Sequence, residues 1–166
     1  MLTEMTLLET IRTIEDAAAQ QPAVAMIVEN DVFRLNSYAD ARYGVFAWTQ
    51  GRHRVDPATP DFIRYSFTFF YVDRLRNDIA NQVEIQSVGM DIIENVLRIL
   101  RNAGLDPETY EFTTFNQRFA DECAGVFCSV VLLADIGSDC AEYADGSNIV
   151  PDGWERDGSD VIIRKF

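Results

Sequence analysis

The chain has 166 residues, 27 of them acidic against 14 basic, giving a formal net charge of −13. That balance works against a free-standing nucleic-acid-binding surface and against adhesion to anionic membranes. Hydrophobic residues at 48% and charged residues at 25% fit one folded domain with a real core and exclude disorder along most of the chain.

From Leu2 to Gln20 the apolar residues Leu8, Ile11, Ile14 and Ala18 recur at helical spacing, with Glu4, Arg12, Glu15 and Asp16 on the polar side. Thr3 is placed to cap this helix and Pro22 to end it. Glu4, Glu9, Glu15 and Asp16 also make Met1 to Gln21 unlike a signal peptide. Ala23 to Val28 and Tyr43 to Trp48 read as strands, separated by a turn-rich stretch from Asp31 to Ala41. Gly51, Asp56, Pro57 and Pro60 mark Gln50 to Pro60 as a loop.

Phe62 to Asp73 carries the clearest strand signal. Tyr65, Phe67, Phe69 and Tyr71 share one face, and Arg64, Ser66, Thr68, Phe70 and Val72 the other. A long helix is predicted from about Asp78 to Ala103, with a stripe of Ile85, Val88, Ile92, Val96, Ile99 and Leu100 and a stop at Asn102 and Gly104. Tyr110 to Phe115 is a further strand, and Phe119 to Gly125 a polar turn. Val126 to Asp135 is apolar on both alternate sets, which predicts a central strand covered on both faces. Beyond Gly137 the composition turns to Gly, Asp, Ser and Asn, and the chain finishes in Val161, Ile162, Ile163 and Phe166. Such a strand pairs either with its own sheet or with a neighbour's.

The expected fold is α+β: a mostly antiparallel sheet with two helices on one face, ordered α-β-β-β-α-β-β. It occupies residues 1–136, and residues 137–166 form an extended C-terminal arm ending in a short strand. No run approaches the roughly 18 apolar residues of a membrane span.

The same sequence is poor in chemistry. Its one histidine, His53, lies in Gly51-Arg52-His53-Arg54 and reads as an exposed loop residue in a small cationic spot. No nucleophile elbow or phosphate-binding glycine motif occurs. Cys123, Cys128 and Cys140 have neither zinc-ligand spacing nor a disulfide pattern, which suits a reducing compartment, and Cys128 reads as a small buried side chain. The acids Asp139, Glu142, Asp145, Asp152, Glu155, Asp157 and Asp160 lack the ligand order of a calcium loop. Asp121-Glu122 reads as a polar turn, and the aromatic row of Tyr65, Phe67, Phe69 and Tyr71 as core beneath a helix. No catalytic residue, metal ligand or cofactor is expected. The chain is read as one that assembles with others, with Arg52, Arg54, Trp154, Val161, Ile162, Ile163 and Phe166 as the assembly candidates.

The N-terminal helix, the strand ending in Phe69-Phe70-Tyr71-Val72-Asp73-Arg74, the long helix, and Phe119-Ala120-Asp121-Glu122-Cys123-Ala124-Gly125-Val126 together resemble a group of phage proteins. These are the tail-terminator or tail-completion-like proteins of tailed phages infecting Bacteroidetes, including crAss-like phages. The resemblance spans about residues 1–140 and rests on structural positions. It implies a virion protein, made in the host cytoplasm, that forms a homo-oligomeric ring against portal, neck or tail subunits. DNA would pass through the channel without sequence-specific binding, and no membrane is involved. The Gly/Asp-rich arm departs from the family pattern. The alternative is a bacterial small-ligand binding module or enzyme of unassigned activity, using a pocket between sheet and long helix.

Overall fold

A computed structural model describes residues 5–37, 42–76, 81–118, 122–136, 150–158 and 161–165. The elements run α1 (Leu7–Ala19), β1 (Met26–Glu29), a 3₁₀ turn (Val32–Ser37), β2 (Val45–Gln50), β3 (Phe62–Arg74) and α2 (Gln82–Asn102). They continue with β4 (Asp106–Arg118), β5 (Glu122–Asp135), β6 (Trp154–Arg156) and β7 (Val161–Arg164). The strands form one sheet ordered β4-β5-β3-β2-β1-β7-β6. Only β1 and β2 run parallel; every other pair is antiparallel. The α+β class, the mostly antiparallel sheet and the element order up to β5 are as expected.

Local chemistry sets the helix ends. Thr6 is the N-cap of α1: its Oγ1 accepts from the Glu9 N–H at 3.2 Å, and the Glu9 carboxylate accepts from the Thr6 N–H at 2.8 Å. This capping box satisfies two of the orphan donors of the first turn. Thr3, the expected cap, lies outside the described residues. The last turn of α1 has no basic residue of its own. Arg164 supplies one from β7, its Nη2 donating to the carbonyls of Ala19 at 3.0 Å and Val24 at 3.1 Å. At the far end of α2, Gly104 adopts φ 97°, the left-handed conformation that lets the chain leave a helix and enter β4.

Both helices pack on one side of the sheet. Ile14, Ala17 and Ala18 of α1 and Ile85, Ile92, Ile93, Val96, Leu97 and Leu100 of α2 share a core with Phe46, Trp48, Tyr65, Phe67, Phe69 and Tyr71. The aromatic row of β3 is therefore core beneath a helix, as its spacing indicated. Gly89 lets α2 approach closely: a Cβ there would lie 2.6 Å from a Val126 methyl and 2.9 Å from the Tyr71 ring. A smaller core on the opposite side joins Met26, Val28, Val32, Leu35, Val45, Ala47, Val161 and Ile163. The 3₁₀ turn packs on β1 and β2 there, and the turn-rich composition of that stretch concealed it.

The end of the chain takes the first of its two options. Val161, Ile162 and Ile163 pair with Val28, Ile27 and Met26, and Trp154 and Ile162 belong to the same core as the two helices. Strands β6 and β7 are thus an integral edge of the sheet and not a detached arm; β6 was not foreseen, because three residues give no periodicity. We expect Trp154→Ala to cost about 3–5 kcal/mol in urea unfolding, which an arm outside the core would not do. Gly89→Ala should cost about 1–3 kcal/mol despite its better helix propensity, since the added methyl overpacks the helix–sheet contact.

Candidate interaction surface

Because both helices lie on one side, the outer face of β3, β5 and β4 carries no covering element among the described residues. Alternation puts Arg64, Ser66, Thr68 and Phe70 of β3 on this face, with Phe127, Ser129, Val131 and Leu133 of β5 beside them. Thr109, Glu111, Thr113 and Phe115 of β4 complete it. Two consequences follow for the expectation that β5 is covered on both sides. It lies between two strands but second from the β4 edge, and its outer set is only partly covered: Phe127, Val131 and Leu133 are half-buried and Ser129 is exposed. The apolar content of the outer set is real, yet no layer sits on it.

That content is concentrated. Phe70, Phe115 and Phe127 form a half-buried aromatic cluster with ring centroids 5.7 to 6.5 Å apart. Next to it, an open trough of about 520 Å³ runs over Ser66, Thr68, Thr109, Glu111, Ser129 and Val131. Arg64, on the same face, donates from Nε to Glu108 at 3.0 Å. An aromatic cluster beside a polar trough has the chemical mixture of a protein contact surface. Its sequence signal was the partly apolar second face of β3, visible at Phe70 and Val72.

His53 also differs from expectation. Its ring is half-buried, 5.3 Å from the Tyr65 centroid and 5.7 Å from that of Phe67. Nδ1 accepts from the Ser66 N–H at 3.2 Å, which leaves the proton on Nε2, facing Gln50 Oε1 at 3.0 Å. The imidazole thus supplies an acceptor where β2 has ended, and the Arg54 and Arg64 backbones then pair directly. Burial holds its pKa below the ordinary value, so it stays neutral and serves as a structural acceptor.

The assembly candidates divide by burial. Arg52 and Arg54 are exposed at this loop. Trp154, Val161, Ile162 and Ile163 are 2%, 7%, 0% and 7% exposed, so they hold the chain's own sheet and are unavailable to a neighbour. The Arg164 guanidinium lies over the Trp154 ring at 4.8 Å. Phe166 lies outside the described residues, as do Asp121, Asp139, Cys140, Glu142, Asp145 and Asp160. Among the described residues no group of three or more His, Cys, Asp or Glu is placed to hold a metal ion. Cys128 is buried beneath α2, where desolvation pushes its thiol up to about 12 and keeps it protonated and unreactive.

At one end of the sheet–α2 layer lies a cavity of about 170 Å³, lined by Tyr71, Asp73, Arg76, Asn81, Glu84, Ile85 and Val88. Small-molecule sites usually measure about 300–1,000 Å³, so this space suits a few waters better than a metabolite. Burial, and then the neighbouring Asp73, raise the Tyr71 hydroxyl well above its ordinary value, so it stays a hydrogen-bond donor.

The most perturbed carboxyl lies elsewhere. Glu15, read from sequence as part of the polar face of α1, is 3% exposed. Its Oε1 accepts from Trp48 Nε1 at 3.1 Å, while Glu29, its neighbouring carboxylate, is held by Arg156 Nη1 at 2.7 Å. Desolvation, then the hydrogen bond and charge of Glu29, push Glu15 up to about 9. Glu15 is therefore the protonated partner that donates to Glu29, and the node ties α1, β1, β2 and β6 together.

No protein-family model matches this chain, and no curated protein matches it.

The Glu15 node has a signed consequence. Its folded pKa is raised, so its contribution to stability is complete below the ordinary value of 4.5 and is lost progressively as pH rises towards 9. Glutamine keeps both hydrogen bonds without ionising. We expect Glu15→Gln to gain unfolding free energy over the natural chain increasingly from about pH 5 to about pH 8, by up to about 1 kcal/mol per pH unit, as read by urea unfolding at each pH. Parallel pH curves for the two proteins would show that Glu15 ionises freely in the folded state.

Proposed function

We propose that this protein works by contact with other protein chains, as a ring-forming subunit of the portal, neck or tail assembly of a tailed phage, through which DNA passes. The observation that carries the assembly part of this reading is the open outer face of β3, β5 and β4, with its Phe70, Phe115 and Phe127 cluster. A domain that stood alone would gain by covering those rings. The net charge of −13 supports a surface that DNA slides past without sticking. The phage setting rests on the sequence resemblance described above. Closure into a ring requires a head-to-tail contact between two different patches of each subunit, and the outer face supplies one of them.

The competing reading, a small-ligand module or enzyme, is favoured by the cavity beside Tyr71. Light scattering coupled to size-exclusion chromatography and negative-stain imaging separate the two. We expect ring-shaped oligomers, formed alone or on addition of phage portal, neck or tail proteins, and we expect Phe127→Ser together with Phe70→Ser to abolish them while the fold persists. A monomer at every concentration, with a melting temperature that rises specifically on adding one metabolite, reverses the ranking.

A further inference from the structure

Among the described residues the outer face ends at a strand with no neighbour beyond it. β4 is the last strand on its side of the sheet, and at 13 residues it far exceeds β6, the 3-residue strand at the other edge. Natural sheets blunt such edges with lysines, prolines, bulges or very short strands. Here the irregularity is confined to Pro107 and Thr109, and the straight part beyond carries Tyr110, Phe112, Thr113, Thr114 and Phe115, all strong strand formers.

Which backbone groups face outwards follows from the ladder. The Ile136 N–H donates to the Asp61 carbonyl at 2.9 Å and the Leu75 N–H to the Glu122 carbonyl at 3.0 Å, so the even-numbered residues of β5 bond to β3 and the odd-numbered ones to β4. In the register of β4 with β5, Thr109, Glu111, Thr113, Phe115 and Gln117 are then the residues bonded inwards. Tyr110, Phe112, Thr114 and Asn116 direct their N–H and C=O groups to the open edge.

We propose that this edge pairs antiparallel with the same edge of a second copy, about a two-fold axis that passes beside Thr113. In this register Tyr110 meets Asn116 of the second copy and Phe112 meets Thr114, so each of the four outward residues has a mate and about eight ladder bonds form, two per facing pair. Charge favours a second copy run in this direction. The acids of β4, Asp106, Glu108 and Glu111, lie in its first half, and its one base, Arg118, at the end. Antiparallel self-pairing brings the acidic first half of each β4 against the acid-free second half of the other, whereas parallel pairing would align acid with acid. The contact is isologous. It joins two subunits, or two stacked rings, and does not depend on the ring reading. Because each copy carries −13, added salt should tighten it by screening the mutual repulsion.

The position of Thr114 permits a selective test. Its side chain is exposed and its N–H faces the open edge, so Thr114→Pro removes no hydrogen bond from the chain's own sheet. Sedimentation velocity over a wide concentration series should show a monomer–dimer equilibrium for the natural chain, weakened at least about tenfold in Thr114→Pro. Thr114→Lys, which keeps the N–H, should weaken it less, and guards against a proline variant that fails to fold. In the same register Thr113 lies opposite Thr113 as a close, non-hydrogen-bonded pair, so Thr113→Cys should form a symmetric disulfide dimer under mild oxidation, mapped by mass spectrometry. A natural chain that stays monomeric throughout, or a dimer indifferent to both Thr114 variants, overturns the proposal. So does a dimer that yields no cross-link at residue 113.

Discussion

The constraint on which the rest of this structure depends is the antiparallel ladder between β3 and β5, paired without a break from Phe62–Asp135 to Arg74–Cys123. Two strands of 13 and 14 residues present a face longer than one ordinary helix can cover. On one side α2, 21 residues and about 32 Å long, lies across them, with Gly89 bringing its backbone down onto Tyr71 and Val126. On the other side the chain has spent its apolar cover on β1, β2 and β7. What remains open among the described residues is the outer face of β3, β5 and β4, the surface on which the proposed assembly rests.

The opposite half of the sheet is held by buried polar groups that each take a specific partner. Arg164 closes α1 from the other end of the chain, Glu15 and Glu29 are tied to Trp48 and Arg156, and His53 completes the ladder beyond β2. Each links segments far apart in sequence, and a buried polar group left without its partner costs more than the bond itself contributes. These residues therefore specify one arrangement of α1, β1 and the C-terminal strands. The raised pKa of Glu15 and the lowered pKa of His53 follow from the burial this arrangement imposes.

Among the described residues the sheet has an open edge, at β4, and an open face, and the two proposals use them differently. Strand addition at β4 extends the sheet within its plane, using backbone groups that are indifferent to side-chain identity. Docking on the Phe70, Phe115 and Phe127 cluster stacks a partner above it, using apolar area and shape. The two surfaces meet at Phe115, which lies on β4 and belongs to the aromatic cluster, so occupation of one changes the surroundings of the other.

Local patterns in the sequence were sufficient for the α+β class, both helices, the burial of Tyr65, Phe67, Phe69 and Tyr71, and the stop at Gly104, because each depends on periodicity or on backbone freedom within a few residues. Periodicity reports which residues are apolar, not which layer is present to cover them. The open outer set of β5 was therefore read as buried, and Glu15, charged and at a plausible polar position, was read as exposed. Tertiary structure alone decided that the last strand lies against β1, that Arg164 caps a helix it follows by more than a hundred residues, and that β4 stands at the edge. Those outcomes depend on contacts between distant segments, whose energies no local window contains.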